Sequence, residues 1–395
     1  MLKDKKKSFF LIIILVSMAI SPAFALGEGN RNLFLIGVMS ISPIIILRFF
    51  EFDKLDFLLL LFLTTIAIFP SLSHPETMRW STVFYSIMFG LTFIAYKQLL
   101  RQKHFSILNY FKILKLLIYA YFIVLLIQQF CVLTGLPIFN LSNYDVTQPW
   151  KLNSLASEPS HSARIVALLM YCYITIKEKL LNRSYDLKKD SRRDKWVWIA
   201  FIYTMLTMGS GTAFLFLAII FLKFVRFKNI ILLFIIGIIV VSLASNFEST
   251  AFNRTQNIII ATLTLDETNI IKADHSASIR IVPFLILIKM VGLSSANYWF
   301  GHGVDYVSTF LSDYMTGVQV GITGGGLLQL WLEYGFISFC LFMLFTLKTV
   351  FIKGKFSTIL FWFLLVFVYG VNSQILWLCL ILFFTNHFFF RKELL

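Results

Sequence analysis

Charged residues are scarce in this sequence, and their scarcity argues against a soluble protein. Asp, Glu, Lys and Arg make up 14% of its 395 residues, whereas soluble domains carry about 25%. Hydrophobic residues make up 58%, and many apolar runs approach the ~20 residues that a helix needs to cross a bilayer. We therefore expect an all-α, polytopic integral membrane protein that forms a single membrane domain over residues 1–395.

Motifs for nucleotides and metals are also missing. The sequence contains neither a Walker loop nor the glycine pattern of a Rossmann domain, which argues against ATP-driven transport by this chain alone. Its four cysteines are scattered and show neither a metal-ligand spacing nor a disulfide framework, so we expect no metal and no other cofactor. The net charge of +15 is explained by basic cytoplasmic loops, and no nucleic-acid partner is expected.

The apolar runs and the basic residues together predict the topology. Twelve membrane spans are predicted, at residues 9–26, 32–49, 56–72, 80–97, 113–134, 161–177, 196–209, 211–226, 229–245, 325–347, 357–373 and 375–390. A further apolar segment, 281–293, is short and contains a proline and a lysine. If it does not cross, most Lys and Arg residues lie on the cytoplasmic side together with both termini, as the positive-inside rule requires. We therefore expect an interfacial or re-entrant helix there, within large periplasmic loops at 135–160 and 246–324.

A charged stretch, SEPSHSAR, opens the predicted span 161–177. Ser157 is the expected N-cap, and the positive end of the helix dipole would face outward beside Glu158 and His161. A carboxylate that stabilises the helix end is a sufficient explanation for Glu158. It does not explain Arg164, because an arginine one turn inside a membrane helix is costly and usually faces a wet cavity or a partner.

Three more polar stretches lie in predicted outer regions, each with an ordinary alternative as a helical turn or a solvated loop. They are the turn MGSG at 208–211, the segment 275–306, and the glycine-rich run GITGGG before the tenth span. Their candidate binding residues are Ser210, Arg280, Lys289, Asp305 and Glu333, and they also contain His302 between two glycines. A glycine on each side of His302 would let a ligand approach closely.

These stretches together predict an anion site. Three inward-running helices would place their positive ends at the outer face, beside Arg164, Arg280 and Lys289. Helix N-termini and arginine side chains bind anions, and an anion at the outer leaflet suggests a lipid phosphate or pyrophosphate headgroup. In this interpretation Arg164 holds the phosphate, and Glu158 or His161 transfers a proton.

The order of the motifs resembles that in the bacterial O-antigen polymerase and ligase superfamily, and within it the polymerases of the Wzy type. The residues that carry the resemblance are Glu158-Pro159-Ser160-His161, Met208-Gly209-Ser210-Gly211, Arg280 with Gly301-His302-Gly303, and Leu332-Glu333-Tyr334-Gly335. They span residues 150–340, roughly half of the chain. Two departures concern the phosphate ligands: Gly211 follows Ser210 where many members have arginine, and the glycine after Arg280 lies one residue further along than is usual.

The resemblance implies a GT-C-like glycosyltransferase of the bacterial inner membrane with its active site facing the periplasm. It would polymerise undecaprenyl-pyrophosphate-linked oligosaccharide repeat units into O-antigen or into capsular or exopolysaccharide. Its partners would be the lipid-linked donor and acceptor, membrane lipid, a chain-length regulator and a flippase. The expected base is Glu158, with His302 second and His161 a further candidate. The expected substrate ligands are Arg164, Arg280, Ser210, Lys289, Asp305 and Glu333.

Two other functions stay open from the sequence. The nearer one is an O-antigen ligase, which transfers glycan to the lipid A core. The other is a transporter of lipid-linked oligosaccharides, which would be expected to carry charged residues along a path near the middle of the membrane. The charged candidate residues collect near the predicted outer face instead, which favours an enzyme.

Overall fold

The computed structural model of the protein describes residues 2–20, 33–49, 51–102, 105–140, 148–224, 257, 260–264, 267–273, 275–314, 326–350 and 356–391. These residues are predominantly helical, and no β-strand occurs among them. The principal helices are α1 Leu2–Ala19, α2 Leu33–Ser40, α3 Ser42–Phe49, α4 Lys54–Ser73, α5 Trp80–Arg101, α6 Ile107–Thr134, α7 Pro159–Leu181, α8 Leu187–Arg193, α9 Lys195–Thr207, α10 Gly211–Leu222, α11 Glu267–Ala273, α12 His275–Met290, α13 Ala296–Phe300, α14 Tyr306–Tyr314, α15 Gly326–Val350, α16 Phe356–Trp362 and α17 Gln374–Arg391. A 3-10 turn spans Pro75–Thr77, and a π-turn spans Phe363–Phe367.

The prediction of a helical membrane protein is confirmed at this coarse level. In the part of the chain that the structure describes, α4, α5, α6 and α15 are long and apolar enough to cross a bilayer by length and composition. Helices also occupy most of the described residues of the other predicted spans. The predicted span 229–245 lies outside the described residues.

Two of the predicted spans are not continuous α-helices. The predicted span 32–49 is broken at Ile41 into α2 and α3, because Pro43 lacks an amide hydrogen and fits only the first turn of a new helix. The predicted span 357–373 stops being α-helical at Trp362 and ends in the π-turn. The residues between this turn and α17 form an irregular connection, which lies at the candidate site.

Helix α7 lies at the centre of the bundle. All its residues from Ser162 to Ile176 are buried, and α6, α9, α10 and α17 pack against it. Helix α15 packs against α4 on one side and α17 on another. Its first half also contacts α12, α13 and α14, which share a second, smaller apolar cluster with it. The long segment after α10 is therefore anchored, where it is described, on the first half of α15.

Residues 281–290 of the ambiguous segment 281–293 belong to α12, which begins earlier than predicted, at His275, and ends at Met290. Helix α12 contains Pro283 and packs against α11 and the first half of α15. Its buried residues Val282, Ile286 and Leu287 belong to the smaller apolar cluster. The apolar character of 281–293 thus has a packing partner within the protein.

The described segments that were predicted to lie outside the membrane collect at one end of the bundle, which we call the cavity end. Arg79, before α5, forms an ion pair with Asp305 (2.7 Å). Gly209, before α10, approaches the backbone of Lys151, and Gly326, at the start of α15, approaches that of Val368. These contacts join the loops between the helices into one surface.

The opposite end, which we call the ion-pair end, holds the start of α4 and α6 and the last turns of α5, α7 and α17. Lys97 near the end of α5 binds Asp53 (2.5 Å) and Asp56 (2.6 Å) at the start of α4. Lys177 near the end of α7 binds Asp194 (2.5 Å). Both lysines are therefore paired with opposite charges.

Candidate functional site

The entry to α7 differs from the prediction at its cap. Glu158, not Ser157, is the N-cap, with an extended backbone (φ −138°, ψ 152°), and Pro159 occupies the first helical position. Proline is suited to that position because its amide nitrogen carries no hydrogen and its φ angle already matches the helix. The Ser157 hydroxyl instead lies 3.1 Å from Nδ1 of His161.

The side chains of this first turn are linked to one another. The Ser160 hydroxyl donates to Oε2 of Glu158 (3.2 Å) and accepts from Nη1 of Arg164 (3.3 Å). Arg164 is only 7% exposed, and its guanidinium lies over the ring of Tyr369 at 5.0 Å. The predicted group of Glu158, His161 and Arg164 is thus brought together, and a cation–π contact joins it to the irregular connection before α17.

The loop that leads into α7 is held rigidly. Gln128 of α6 accepts from the backbone N–H of Ser154 (2.8 Å) and donates to the side-chain oxygen of Asn153 (3.2 Å). Asn153 also donates to the carbonyl of Ser157 (3.2 Å), and its own carbonyl accepts from the Ser162 hydroxyl. A buried loop with satisfied polar groups fixes the start of α7, and with it the position of Arg164.

Ser210 lies at the N-cap of α10, which confirms the predicted start of that helix. It is almost fully buried. The preceding Gly209 has a left-handed backbone (φ 67°), and a side chain there would press against the carbonyl of Trp150. The turn that contains Ser210 therefore packs against the loop before α7, beside the first group of predicted residues.

Two motifs of the sequence meet at a kink in α15. Gly335 interrupts this helix with φ 88°, and a side chain at Gly335 would collide with the carbonyl of Trp299. In return, a side chain at Gly301 would collide with the carbonyl of Glu333. The G-x-G and L-x-E-x-G motifs are thus parts of one contact, in which glycine permits two backbones to approach each other closely.

This contact fixes His302. Its backbone N–H donates to the carbonyl of Leu332 (2.8 Å), and its Nδ1 lies 3.2 Å from the same oxygen. A carbonyl oxygen can only accept, so a hydrogen bond there requires the proton on Nδ1 and leaves Nε2 as the basic nitrogen of the neutral ring. Tyr306 stacks on the imidazole, with ring centroids 4.7 Å apart.

The surroundings of His302 favour its neutral form. Burial lowers the pKa of His302, the hydrogen bond to Leu332 opposes this effect, and the nearby His74 lowers the pKa further. Because the charged form is disfavoured, the imidazole is neutral at physiological pH, with an unprotonated Nε2. Such a nitrogen is able to accept a proton.

A polar cavity of about 70 Å³ lies beside this contact. Its lining is mostly polar and comes from α5, α14 with the preceding residue, α15 and the connection before α17, namely Thr82, Ser86, Asp305, Ser308, Gly326, Gln329, Leu330, Glu333, Tyr334, Gly370, Val371 and Asn372. The lining includes both predicted carboxylates of this region, Asp305 and Glu333. The volume has room for a few water molecules.

The two carboxylates have different partners. Asp305, which has a left-handed backbone (φ 64°), binds Nη1 of Arg79. Glu333 is only 2% exposed, and its Oε1 accepts from Nε2 of Gln329 (3.0 Å) and from the backbone N–H of Val307 (3.3 Å) in the first turn of α14. Glu333 therefore has neutral donors, and no Lys or Arg of the described chain forms a salt bridge with it.

The two predicted residues of α12, Arg280 and Lys289, differ in what the structure describes. Lys289 is exposed in the last turn of α12 and does not belong to the cavity lining. The backbone of Arg280 lies in α12, whereas its side chain lies outside the described part of the structure. Sequence reasoning missed Arg79, Gln329 and Tyr369. No motif surrounds Arg79 or Tyr369, whereas Gln329 lies four residues before Glu333 on the same helix, and that spacing could have indicated it.

No family model matches the sequence, and neither a curated protein nor a solved structure shows significant similarity to it. The class of protein that the fold and the composition define is a helical membrane protein with a polar cavity at one end of its bundle.

Proposed function

We propose that the protein is a membrane-embedded glycosyltransferase that polymerises undecaprenyl-pyrophosphate-linked oligosaccharide repeat units into O-antigen or a related bacterial polysaccharide. The chain crosses the inner membrane twelve times, with both termini in the cytoplasm and the cavity end at the periplasmic face. The donor is the growing lipid-linked glycan, and the acceptor is the next lipid-linked repeat. A chain-length regulator and a flippase are its expected partners.

The observation that carries this proposal is the convergence of polar groups at the cavity end. His302, Asp305 and Glu333 lie around one contact, and Arg164 lies against Tyr369, next to the cavity-lining Gly370. These residues come from separate parts of the chain, and the apolar bundle positions them without any extramembrane domain of regular fold among the described residues. Sites built where several helices meet suit a substrate that stays in the membrane.

The chemistry requires one bond to form and one to break. An acceptor hydroxyl oxygen bonds to the anomeric carbon of the donor while the bond from that carbon to the pyrophosphate oxygen breaks. The bonding electron pair leaves with undecaprenyl pyrophosphate, and the hydroxyl proton passes to a base of the protein. Pyrophosphate is already a good leaving group, so charge stabilisation and one base are sufficient.

The geometry favours His302 over Glu158 as that base. Its Nδ1–H is committed to the carbonyl of Leu332, so its Nε2 can accept the hydroxyl proton. Glu158 is engaged with Ser160, and through Ser160 with Arg164. We therefore assign Glu158 a positioning role and keep it as the second candidate base, with His161 third.

Positive groups would stabilise the departing pyrophosphate. Arg164 lies one turn inside α7, whose N-terminus is at the same end of the bundle, and a helix N-terminus favours an anion. Ser210 at the start of α10 is a further donor near this loop. Arg280 and Lys289 of α12 are proposed to extend the site toward the lipid headgroup.

The decisive experiment is reconstitution. The purified protein is reconstituted into lipid vesicles and supplied with lipid-linked repeat units from the cells that produce the protein. The products are then separated by length. We expect a ladder of polymers on the lipid carrier, and we expect His302→Gln to form polymer about 10²–10⁴-fold more slowly. A product that forms only when lipid A core is added, with one glycan per acceptor, would identify a ligase. Movement of intact repeats across the bilayer without any new glycosidic bond would identify a transporter.

A further inference from the structure

The lining of the cavity is rich in hydrogen-bond acceptors. Gln329 shows this most directly, because its Nε2 donates to Oε1 of Glu333. Because the amide nitrogen faces Glu333, Oε1 of Gln329 is left as an acceptor. That oxygen lies about 4.0 Å from where a side chain at Gly370, another lining residue, would begin.

The serine hydroxyls of the lining also present oxygen lone pairs. Ser86 donates its proton to the carbonyl of Thr82 (3.2 Å), and Ser308 donates to the carbonyl of Asp305 (2.8 Å). Each hydroxyl has one proton, so a ligand meets both of them as acceptors. Thr82, Tyr334 and Asn372 can still donate, so acceptors dominate the lining without forming all of it.

The lining residues of the cavity include no Lys or Arg side chain. Arg79 neutralises Asp305 at 2.7 Å. Glu333 receives only neutral donors, Gln329 and the backbone of Val307. A phosphate or pyrophosphate group would find no basic side chain and few hydrogen-bond donors in this lining. The cavity is therefore unsuited to the leaving group and suited to a ligand that donates hydrogen bonds.

We infer that this cavity is the subsite for the acceptor sugar, whose hydroxyl groups donate to Glu333, Gln329 and the serine oxygens. This rests on the proposed function and adds which substrate the cavity takes and which residue holds it. The volume of about 70 Å³ admits hydroxyl groups at the edge of a sugar ring while the rest of the glycan lies outside. Gly303, next to His302, donates to the Glu333 carbonyl (3.3 Å), so an acceptor held in the cavity lies beside the proposed base.

The test separates the two substrates kinetically. The donor is a lipid-linked repeat whose non-reducing-end hydroxyl is methylated, so that it cannot accept. The acceptor is the same repeat on a simple alkyl chain, which has no pyrophosphate to lose. Single-transfer rates are measured for the wild type, Glu333→Gln and Glu76→Gln. Glu76 is the matched control because it is an exposed carboxylate at the same end of the bundle, outside the cavity.

For Glu333→Gln we expect the acceptor KM to rise about ten-fold or more, because the amide replaces one oxygen of the carboxyl group with an NH2 group and leaves a sugar hydroxyl without its acceptor. The donor KM should stay within about two-fold, and Glu76→Gln should match the wild type in both. Because Glu and Gln have the same size, folding is checked by thermal unfolding of the purified variant, and Glu333→Asp provides a second variant that keeps the carboxyl group. Glu333→Asp should bind acceptor better than Glu333→Gln.

Three results would overturn the inference. Active Glu333→Gln protein with an unchanged acceptor KM would remove the acceptor from the cavity while the proposed function stands. Stabilisation of the wild type by sodium but not by choline, lost in Glu333→Gln with the acceptor KM unchanged, would make the cavity a cation site. Wild-type protein that transfers nothing between these substrates, although it unfolds cooperatively, would overturn the proposed function together with the inference.

Discussion

The two ends of the helical bundle differ in the partners of their buried acidic side chains. At the ion-pair end, Lys97 is fully buried between Asp53 and Asp56, and Arg183 holds Asp190 through two hydrogen bonds of 2.6 and 2.7 Å. Hydrogen bonding from Arg183 lowers the pKa of Asp190 to about 2. Each of these acids is compensated by a basic side chain at the same end.

At the cavity end, the buried carboxylate is held differently. Glu333 accepts from the neutral donors Gln329 and Val307, and no Lys or Arg in the described part of the chain forms a salt bridge with it. Burying a carboxyl group without an opposite charge is costly, so such an arrangement is expected where a substrate supplies what the protein lacks. The comparison teaches that the ion-paired carboxylates at the ion-pair end build the fold, whereas the buried carboxyl group with neutral donors marks the site.

The largest effect is expected for His302→Gln, which tests whether the cavity end holds the catalytic base. Glutamine can keep a donor toward the carbonyl of Leu332 but cannot take a proton, so we expect polymerisation to fall about 10²–10⁴-fold with little change in protein level. His74→Gln, at a neighbouring histidine outside the proposed machinery, should stay within a few-fold of the wild type. Equal losses in both variants would show that the effect is structural.

The pH dependence of the wild type sharpens the same assignment. Burial places the pKa of His302 below its ordinary value of 6.5, so the neutral base persists at pH 6.5 and kcat/KM should fall only at lower pH. The unfolded chain protonates this histidine first, so the free energy of unfolding should also decrease as pH falls from 6.5 to the lowered pKa. An activity loss centred above pH 6.5 would contradict a base in this environment.

At the ion-pair end, Lys97→Met should damage the fold and leave the chemistry intact. Removing one partner of a buried ion pair leaves uncompensated charge and costs about 3–5 kcal/mol, so we expect a lower unfolding temperature and less protein in the membrane. Activity per folded molecule should be unchanged. Lys112→Met on the exposed face of α6 is the control, and a similar loss of stability there would mean that the pairing of Lys97 is unimportant.

The contact between the glycine motifs can be tested by Gly335→Ala. The left-handed backbone (φ 88°) and the clash with the Trp299 carbonyl should together cost at least about 2 kcal/mol and displace His302, so that both stability and activity decrease. In Gly37→Ala, by contrast, no atom lies within 4 Å of the new methyl group, and a helical alanine there should be neutral or stabilising. Equal tolerance of both substitutions would mean that the motifs do not need this contact.

The positions of the helices were predictable because long apolar runs restrict the possible secondary structure. The helix predicted at 56–72 is Lys54–Ser73, and the one predicted at 196–209 is Lys195–Thr207. An apolar run of bilayer length with no helix breaker is expected to form an α-helix, and charged residues mark the ends of that helix. The break at Ile41 follows from Pro43, and attention to that proline would have located it.

The site was predictable in its parts and not in its pairings. Gly301, Gly335 and Glu333 stood out by their motifs, but no sequence pattern indicated that the first two contact each other. The Arg79–Asp305 ion pair joins residues that are 226 positions apart, and a lone arginine before a helix resembles any interfacial anchor. Long-range pairing depends on how the helices pack, and periodicity along one chain does not encode it.

The smallest effect is expected for Glu158→Gln, and this variant decides the role of the first motif. Glu158 accepts from Ser160, which in turn contacts Arg164, and glutamine can preserve the first hydrogen bond. The loss of a carboxylate at the N-terminus of α7 should cost about 0.3–1 kcal/mol of stability. If Glu158 positions Arg164, the donor KM should rise by less than about ten-fold while the pH profile keeps its shape.

Ser160→Ala should give the same pattern, since it removes the link between the two side chains. A loss of about 10² or more in kcat, together with the disappearance of the acid limb of the pH profile, would instead make Glu158 the base and return His302 to a structural role.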